Sequence, residues 1–478
     1  MTGRAATMRV TRTATYGPLV VDSRNPRYFA DRNGRTVLLA GSHTWATLQE
    51  AAPIDPPEPF DWSAWMEFMV AHGHNFMRLW TWENAKWGSW WDGDYYFEPL
   101  AWARTGPGLA ADGKPRFDLC TFDEEWFRRL RERAVDSRDH GVYIAVMLFQ
   151  GWSAGPKPFD SWTPDRPVAQ GPNPWLGHPF ASGNNVNDID ASAPGGQGDG
   201  WLHTLRDRRA LELLEDYVRR VVDTVGDLDN VMYEICNEDD GTPGNTAWQY
   251  HMVEFVRDYQ RARWGVSLPV LMTAQYPNPD NDVLFASSAE AVSPFGWHGR
   301  GNDRWQDDPP AGYRGKVVIS DTDHLWGVGG TADFVWRSVT RGHNVLYMDT
   351  WGYDHMEVRG PELDAGARTA MGIAVELAGR IDLGVTFPHS ELSSTGFALA
   401  APGRHYLVYQ PYPWRFRIDL RDAPGSFATT WIHPETGAET IGAPLTGGQV
   451  PYCILPSERS WLLLITRDPA GPEPGGAG

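Results

Sequence analysis

RRALELLEDYVRRVVDTVGDLDNVMYEICNED, residues 208–239, carries one complete structural unit. Over 208–227, Leu211, Leu214, Val218, Val221, Val222 and Val225 recur at helical spacing and share one face. A short break follows, and then the apolar run VMYEIC. That run passes at once into Asn237-Glu238-Asp239. An amphipathic helix, a short buried strand and a polar exit form the repeating unit of a parallel barrel, whose functional side chains stand where the strands end.

The same unit recurs on both sides. FDWSAWMEFMVAHG (60–73) reads as a helix and leads into HNFMRLWTWEN. FDEEWFRRLRERAVDSRDHG (122–141) leads into VYIAVMLFQGW. Downstream, WQYHMVEFVRDYQRARW precedes PVLMTAQYP. AEAVSPFGWHG, KVVISDTDHLWG and HNVLYMDTWG supply further strands with polar exits, and PELDAGARTAMGIAVELAGRI (361–381) closes the series. At the start, NPRYFADRNGRTVLLAG (25–41) reads as a hairpin turning at Asn33-Gly34, its second arm entering the first barrel strand.

The pattern predicts an α/β chain: a (β/α)8 TIM barrel over residues 30–385, preceded by an N-terminal extension and hairpin arm over 1–29. After about residue 386 the runs become short and alternating, which predicts an antiparallel β-sandwich domain over 386–468. The Pro/Gly-rich end, 469–478, reads as a disordered tail. Two segments after strands, 84–120 and 151–207, read as long structureless loops on the functional face.

Composition narrows the function. The net charge of −19 argues against nucleic acid and anionic membranes as partners, since both call for a basic footprint. No run approaches the roughly 18 apolar residues of a membrane span. Cys120, Cys236 and Cys453 are an odd, scattered set, which argues against a disulfide framework. The first residues lack a signal-peptide apolar core, so the expected compartment is cytoplasmic. Nothing in the sequence sets the oligomeric state.

Hydrolysis of a glycosidic bond needs two carboxylates flanking that bond, and a barrel would present them at its strand exits. The fourth strand ends in Asn237-Glu238, with Glu234 inside the strand. The seventh offers no glutamate, since none occurs between Glu290 and Glu357. The second carboxylate is therefore Asp321 or Asp323. Asp323 is favoured as the one further out of the strand, while the other caps the turn or binds His324. Aspartate is one methylene shorter than glutamate, which moves such a pair from the retaining spacing towards the inverting one.

Other strand exits supply His43 and Trp45, Trp80 and Trp82, Asn184 and Asn185, Gln275 and Tyr276, Trp297 and His298, and Asp349 and Trp351. Taken singly these suit packing. Together they suit a carbohydrate subsite, with polar groups for hydroxyls and indoles for the C–H faces of sugar rings. The 24 tryptophans fit that reading. His43, His298, His324 and His355 could gather with the aspartates around a metal. With no His-x-His pair and no HExxH helix, no metal or other cofactor is expected.

The strand ending in Asn-Glu, the carboxylates after VVIS, and Arg78-Leu79-Trp80 together resemble clan A glycoside hydrolases of the cellulase-like family 5 type. RYFADRNGRTVLLAGSHTW, HPFASGNNVNDID and HYLVYQ…IDL…HPETG…WLLLI look more closely like a barrel family fused to a small β domain. That domain has been labelled a collagen-binding domain of a collagenase, and the label implies no collagen activity here. The resemblance spans roughly 25–468. It implies Glu238 as acid/base, Arg78 as the brace of the nucleophile, and retaining hydrolysis of an oligosaccharide or glycoside. The aspartate at the seventh strand departs from the family's glutamate. A catalytically silent carbohydrate-binding barrel and a metal-dependent hydrolase are the alternatives.

Overall fold

The computed structural model describes residues 15–88, 94–155, 173–194, 200–296, 305, 307–349, 351 and 361–468. Eight strands form one parallel sheet, each buried along its whole length: β1 (Ala40–His43), β2 (Phe76–Leu79), β3 (Tyr143–Gln150), β4 (Val231–Asn237), β5 (Val270–Thr273), β6 (Ala291–Ser293), β7 (Val317–Asp321) and β8 (Asn344–Met348). Covered on both faces, they read in sequence as apolar runs rather than alternating ones. The order is β1-β8-β7-β6-β5-β4-β3-β2.

Side-chain bonds help close the β1–β2 seam. Asn75 donates its backbone N–H to Ala40 O (3.0 Å) and accepts from Ala40 N on its amide oxygen (2.9 Å). Its amide nitrogen reaches Leu38 O at 2.9 Å. Gly41 lets the strands approach, since a Cβ there would lie 2.1 Å from Phe76 O.

The helices are α1 (Trp62–Ala71), α2 (Glu124–Asp139), α3 (Arg208–Val225), α4 (Pro243–Trp264), α5 (Asn281–Ala286), α6 (Ala332–Thr340) and α7 (Pro361–Ala378). The first six each begin at an Asp or Thr whose side chain accepts a first-turn N–H, the preferred N-cap chemistry. On α3, Leu214, Val218, Val221, Val222 and Val225 are buried as their spacing predicts, with Ala210 and Tyr217 beside them. The helix-strand alternation is incomplete in one place: among the described residues, no helix links β6 to β7.

Residues 84–120 are not structureless. Lys86–Gly88 and Glu50–Ala52 flank Asp94–Glu98 in a three-stranded sheet, and Trp102–Leu109 pairs with Pro115–Phe122. The N-terminal hairpin is present, pairing Phe29–Ala30 with Thr36–Val37. Its turn is wider than a two-residue one: Asp31 N donates to Arg35 O, and Gly34 takes φ 74°.

Beyond the barrel, β9 (Phe387–Pro388), β10 (Ala398–Ala401), β11 (His405–Gln410), β12 (Ser426–Ile432), β13 (Glu439–Ile441) and β14 (Trp461–Arg467) form an antiparallel sheet of order β9-β10-β11-β14-β12-β13. Strand alternation gives this sheet two buried faces. Leu399, Leu407, Tyr409, Ile432, Leu462 and Leu464 join the same core as the barrel helices. Ala398, Ala400, Tyr406, Val408, Leu463 and Ile465 pack with Phe416, Ile418 and Cys453 in a second core. Trp336 of α6, fully buried, donates its indole N–H to Pro434 O at 2.9 Å, and the Tyr409 hydroxyl donates to Asp333 at 2.8 Å. No helix among the described residues is long and apolar enough to cross a membrane.

Candidate active site

Arg78, fully buried on β2, gathers the ends of three strands. Its Nε donates to Glu234 Oε2 (2.8 Å) and its Nη2 to Glu234 Oε1 (2.5 Å) and Asn237 Oδ1 (2.6 Å). Its Nη1 donates to Asp323 Oδ2 (2.9 Å) and Asp321 Oδ2 (3.2 Å). The guanidinium also lies over the Trp80 ring, 4.8 Å from its centroid, and Trp80 stacks on His43 at 5.5 Å. A fork of fixed N–H groups suits this role, because one cation must satisfy several buried carboxylates.

The two aspartates differ. Asp321 ends β7, has no exposed surface, and caps the following turn by accepting from Asp323 N at 3.1 Å. His43 Nε2 lies 2.9 Å from the same oxygen, Oδ1, while Arg78 takes the other. Burial opposes its ionisation, but His43 and then Arg78 hold it below the ordinary aspartate range. Asp323, in the turn Thr322–Leu325, keeps 9% of its surface exposed. Burial raises its carboxyl above the usual range. Arg78 pulls it back and the Asp321 charge pushes it further up.

His324 sits between them and β4. Its Nε2 meets Asn237 Oδ1 at 3.1 Å and its Nδ1 meets Ser293 Oγ at 2.7 Å. Burial and the nearby Arg78 hold this ring down to about 3, so it is neutral. It then donates from Nε2 and accepts from Ser293. The Asn237 amide is completed by a bond from its nitrogen to Gln150 Oε1 at 3.1 Å.

Glu238 follows β4 directly, is 7% exposed, and has φ 44°, a left-handed backbone that costs a non-glycine residue about 1–3 kcal/mol. Gly151 lies against it: a Cβ there would come 2.3 Å from Glu238 O. The next residue, Trp152, donates its indole N–H to Glu238 Oε2 and stacks on Tyr276 at 5.6 Å. Burial and the facing Glu238 push the Tyr276 phenol up to about 12.

Beneath Glu238 lies a second buried polar cluster. Glu83 Oε1 accepts from Gln150 N at 2.8 Å, and its carboxylate faces His178 (3.4 Å) and His203 (3.2 Å). Burial opposes ionisation of Glu83, but His203 and His178 hold its carboxyl down to about 2. His203 Nδ1, Cys236 Sγ and an Asp239 oxygen lie within 4.8 Å of one another, a spacing that could admit a metal ion. Hydrogen bonds already engage this set: Asn245 and Gln249 donate to Asp239, and burial pushes the Cys236 thiol up to about 12. Of the four histidines that could gather around a metal, His43 serves Asp321 and His324 serves Asn237 and Ser293, while His298 and His355 lie outside the described residues.

Of the residues singled out in the sequence, His43, Arg78, Trp80, Asn237, Asp321 and Asp323 come together, with Glu238 and Tyr276 beside them. Trp45 and Trp82 meet edge to face at 6.1 Å. Trp82 continues through Trp87, Trp152, Tyr276 and Phe295 as one aromatic wall.

Others are committed elsewhere. Asp349 holds Arg368 through both oxygens and accepts from Ser42 and Trp351 N. Trp351 packs on Phe60, Trp65 and Phe68. Asn184 and Asn185 tie backbone groups of their own loop. Gln275 donates to Thr246. Trp297 and His298 lie outside the described residues. Sequence reasoning missed Glu83, Gln150, Trp152, His203 and Asp239. Gln150 and Trp152 stand at the exit of β3, the position that marks functional residues on the other strands. His203 carries no local signal.

No family model and no curated protein matches the sequence. Solved structures do match in fold. A structure described as a glycoside hydrolase superposes with TM-score 0.60 at 13% identity, over 95% of this chain and 99% of that one. A glycoside hydrolase family 5 structure from Bacteroides vulgatus ATCC 8482 gives TM-score 0.60 at 12% identity, over 96% of this chain and 95% of that one. At such identities the likeness is one of fold, and it extends from the barrel through the C-terminal sheets.

Proposed function

We propose that this chain is a glycosidase that cleaves O-glycosidic bonds of an oligosaccharide or glycoside by a two-carboxylate, retaining mechanism. The observation that carries the reading is that two differently held carboxylates stand at the exits of two strands, β4 and β7, of one barrel. Glu238 is touched by an indole N–H, and Asp323 by a guanidinium. Glu238 acts as proton donor to the leaving oxygen and then as base for water. Asp323 acts as nucleophile, with Arg78 stabilising its anion, and Asp321 orients the turn that carries it. Asn237, its oxygen held by Arg78 and His324 and one amide hydrogen given to Gln150, has its second amide hydrogen for the sugar. The aromatic wall from Trp45 to Phe295 supplies faces on which sugar rings stack.

The same reading divides the chain into an N-terminal arm (1–29), the barrel (30–385), a β-sandwich of the collagen-binding-domain type (386–468) and a tail. The sheet shared with the barrel core supports a docked structural role for the sandwich. The three free thiols suit a reducing, cytoplasmic setting.

A panel of aryl glycosides of different sugars and both anomers tests the function. Turnover of one member, abolished in Glu238→Gln for substrates with poor leaving groups, is expected. Sugar binding without turnover across the panel would replace the glycosidase by a silent carbohydrate-binding barrel.

A further inference from the structure

The cluster under Glu238 serves no step of the proposed reaction, yet it is wholly buried and built from charged groups. His203 is its hub, 1% exposed and stacked on Trp248 at 4.5 Å. Its Nε2 lies 3.2 and 3.3 Å from the Glu83 oxygens, and its Nδ1 lies 3.4 Å from Asp239 Oδ1. A ring between two carboxylates is best satisfied with both nitrogens donating. Burial opposes that charge, but Glu83 and the other neighbours outweigh it and raise the ring well above its ordinary value.

Each nitrogen leads to a different support of Glu238. On one side, Asp239 is its immediate chain neighbour. The Asp239 carboxylate is held by His203, Asn245 Nδ2 (3.0 Å) and Gln249 Nε2 (3.4 Å), and its carbonyl accepts from Tyr276 N (2.8 Å). These bonds over-determine the backbone next to the left-handed Glu238, which is what a strained residue needs in order to persist. On the other side, Glu83 holds Gln150 N, and Gln150 Oε1 accepts from Asn237 Nδ2 (3.1 Å) and Trp152 N (3.3 Å). Trp152 is the residue whose indole touches the Glu238 carboxylate.

We propose that His203 is a positioning residue for Glu238: by bridging Asp239 and Glu83 it locks both the backbone of the proton donor and the indole that orients its carboxylate. The inference rests on the reading of Glu238 as proton donor. It follows that His203 matters most when the leaving group needs a proton. A well-placed acid is worth roughly 10²–10⁴-fold for poor leaving groups and little for good ones.

The test compares 4-methylphenyl and 2,4-dinitrophenyl glycosides of the sugar identified by the panel, using full-length wild type, His203→Gln, Asp239→Asn and Glu238→Gln. Thermal melting reports folding. The expected result is a loss of about 10–100-fold in kcat/KM, which reports the step that expels the leaving group, on the 4-methylphenyl substrate for His203→Gln and Asp239→Asn, with kcat/KM on the dinitrophenyl substrate within about 3-fold of wild type. Should His203→Gln not fold, the comparison of the two substrates with Asp239→Asn decides.

Equal losses on both substrates from a folded variant overturn the inference, because a general structural defect shows no leaving-group preference. Stoichiometric zinc in the purified protein, lost in Cys236→Ala, also overturns it by making the cluster a metal centre. If Glu238→Gln itself shows no leaving-group preference, the assignment of Glu238 falls, and that outcome is distinct from a failure of His203 alone.

Discussion

Arg78 Nη1 stands 2.9 Å from Asp323 Oδ2, so one guanidinium joins β2 to the turn beyond β7. The same guanidinium holds Glu234 and Asn237 on β4. Its removal would leave buried carboxylates unpaired, a change that typically costs about 3–5 kcal/mol. Arg78→Ala is expected to lose stability on that scale in urea denaturation. Arg78→Lys keeps the charge but not the fork, and is expected to retain the fold better than Arg78→Ala while losing activity. Equal stability of wild type and Arg78→Ala would show that the network contributes nothing to the fold.

The two aspartates are separated by pH. Burial raises the Asp323 carboxyl, and the neighbouring Asp321 charge raises it further. Removing that charge in Asp321→Asn therefore lowers the pH at which Asp323 loses its proton. Since a nucleophile must be ionised, the acidic limb of kcat/KM should move to lower pH while activity persists. Asp323→Asn should remove activity across the range. The reverse pattern, with Asp321→Asn inactive and Asp323→Asn active, would exchange their roles.

The C-terminal sheet shares one core with the barrel through Leu399, Leu407, Tyr409, Leu462 and Leu464, and Trp336 reaches across to Pro434. Trp336→Ala is expected to cost about 3–5 kcal/mol, as for other buried tryptophans. A chain ending at residue 385 would expose this face and is expected to be insoluble. A soluble, active truncation would show that the sheet is dispensable.

The barrel was legible because its strands are buried on both faces and its helices on one, so periodicity alone separates them, as on α3. The placement of Asp321 and Asp323 beside Arg78 at the exit of β7 was legible because the absence of glutamate over 291–356 left no other carboxylate there to consider. Asp349 misled: it also follows a strand, but Arg368, nineteen residues later on α7, consumes it. The partner of a charge is set by helix packing, which strand position does not reveal. His203 was invisible for the same reason. It lies in a connection, and its importance comes from Glu83 and Asp239, 120 and 36 residues away in the chain.

The most direct test of the central claim is to identify the residue that carries the sugar. The protein would be inactivated with a 2-deoxy-2-fluoroglycosyl donor matching the sugar found by the panel, digested, and sequenced by tandem mass spectrometry. The account predicts one glycosyl ester, on Asp323, with retained configuration in the first-formed product. An ester on Asp321, Glu234 or Glu238, or an inverted product with no ester, would contradict it.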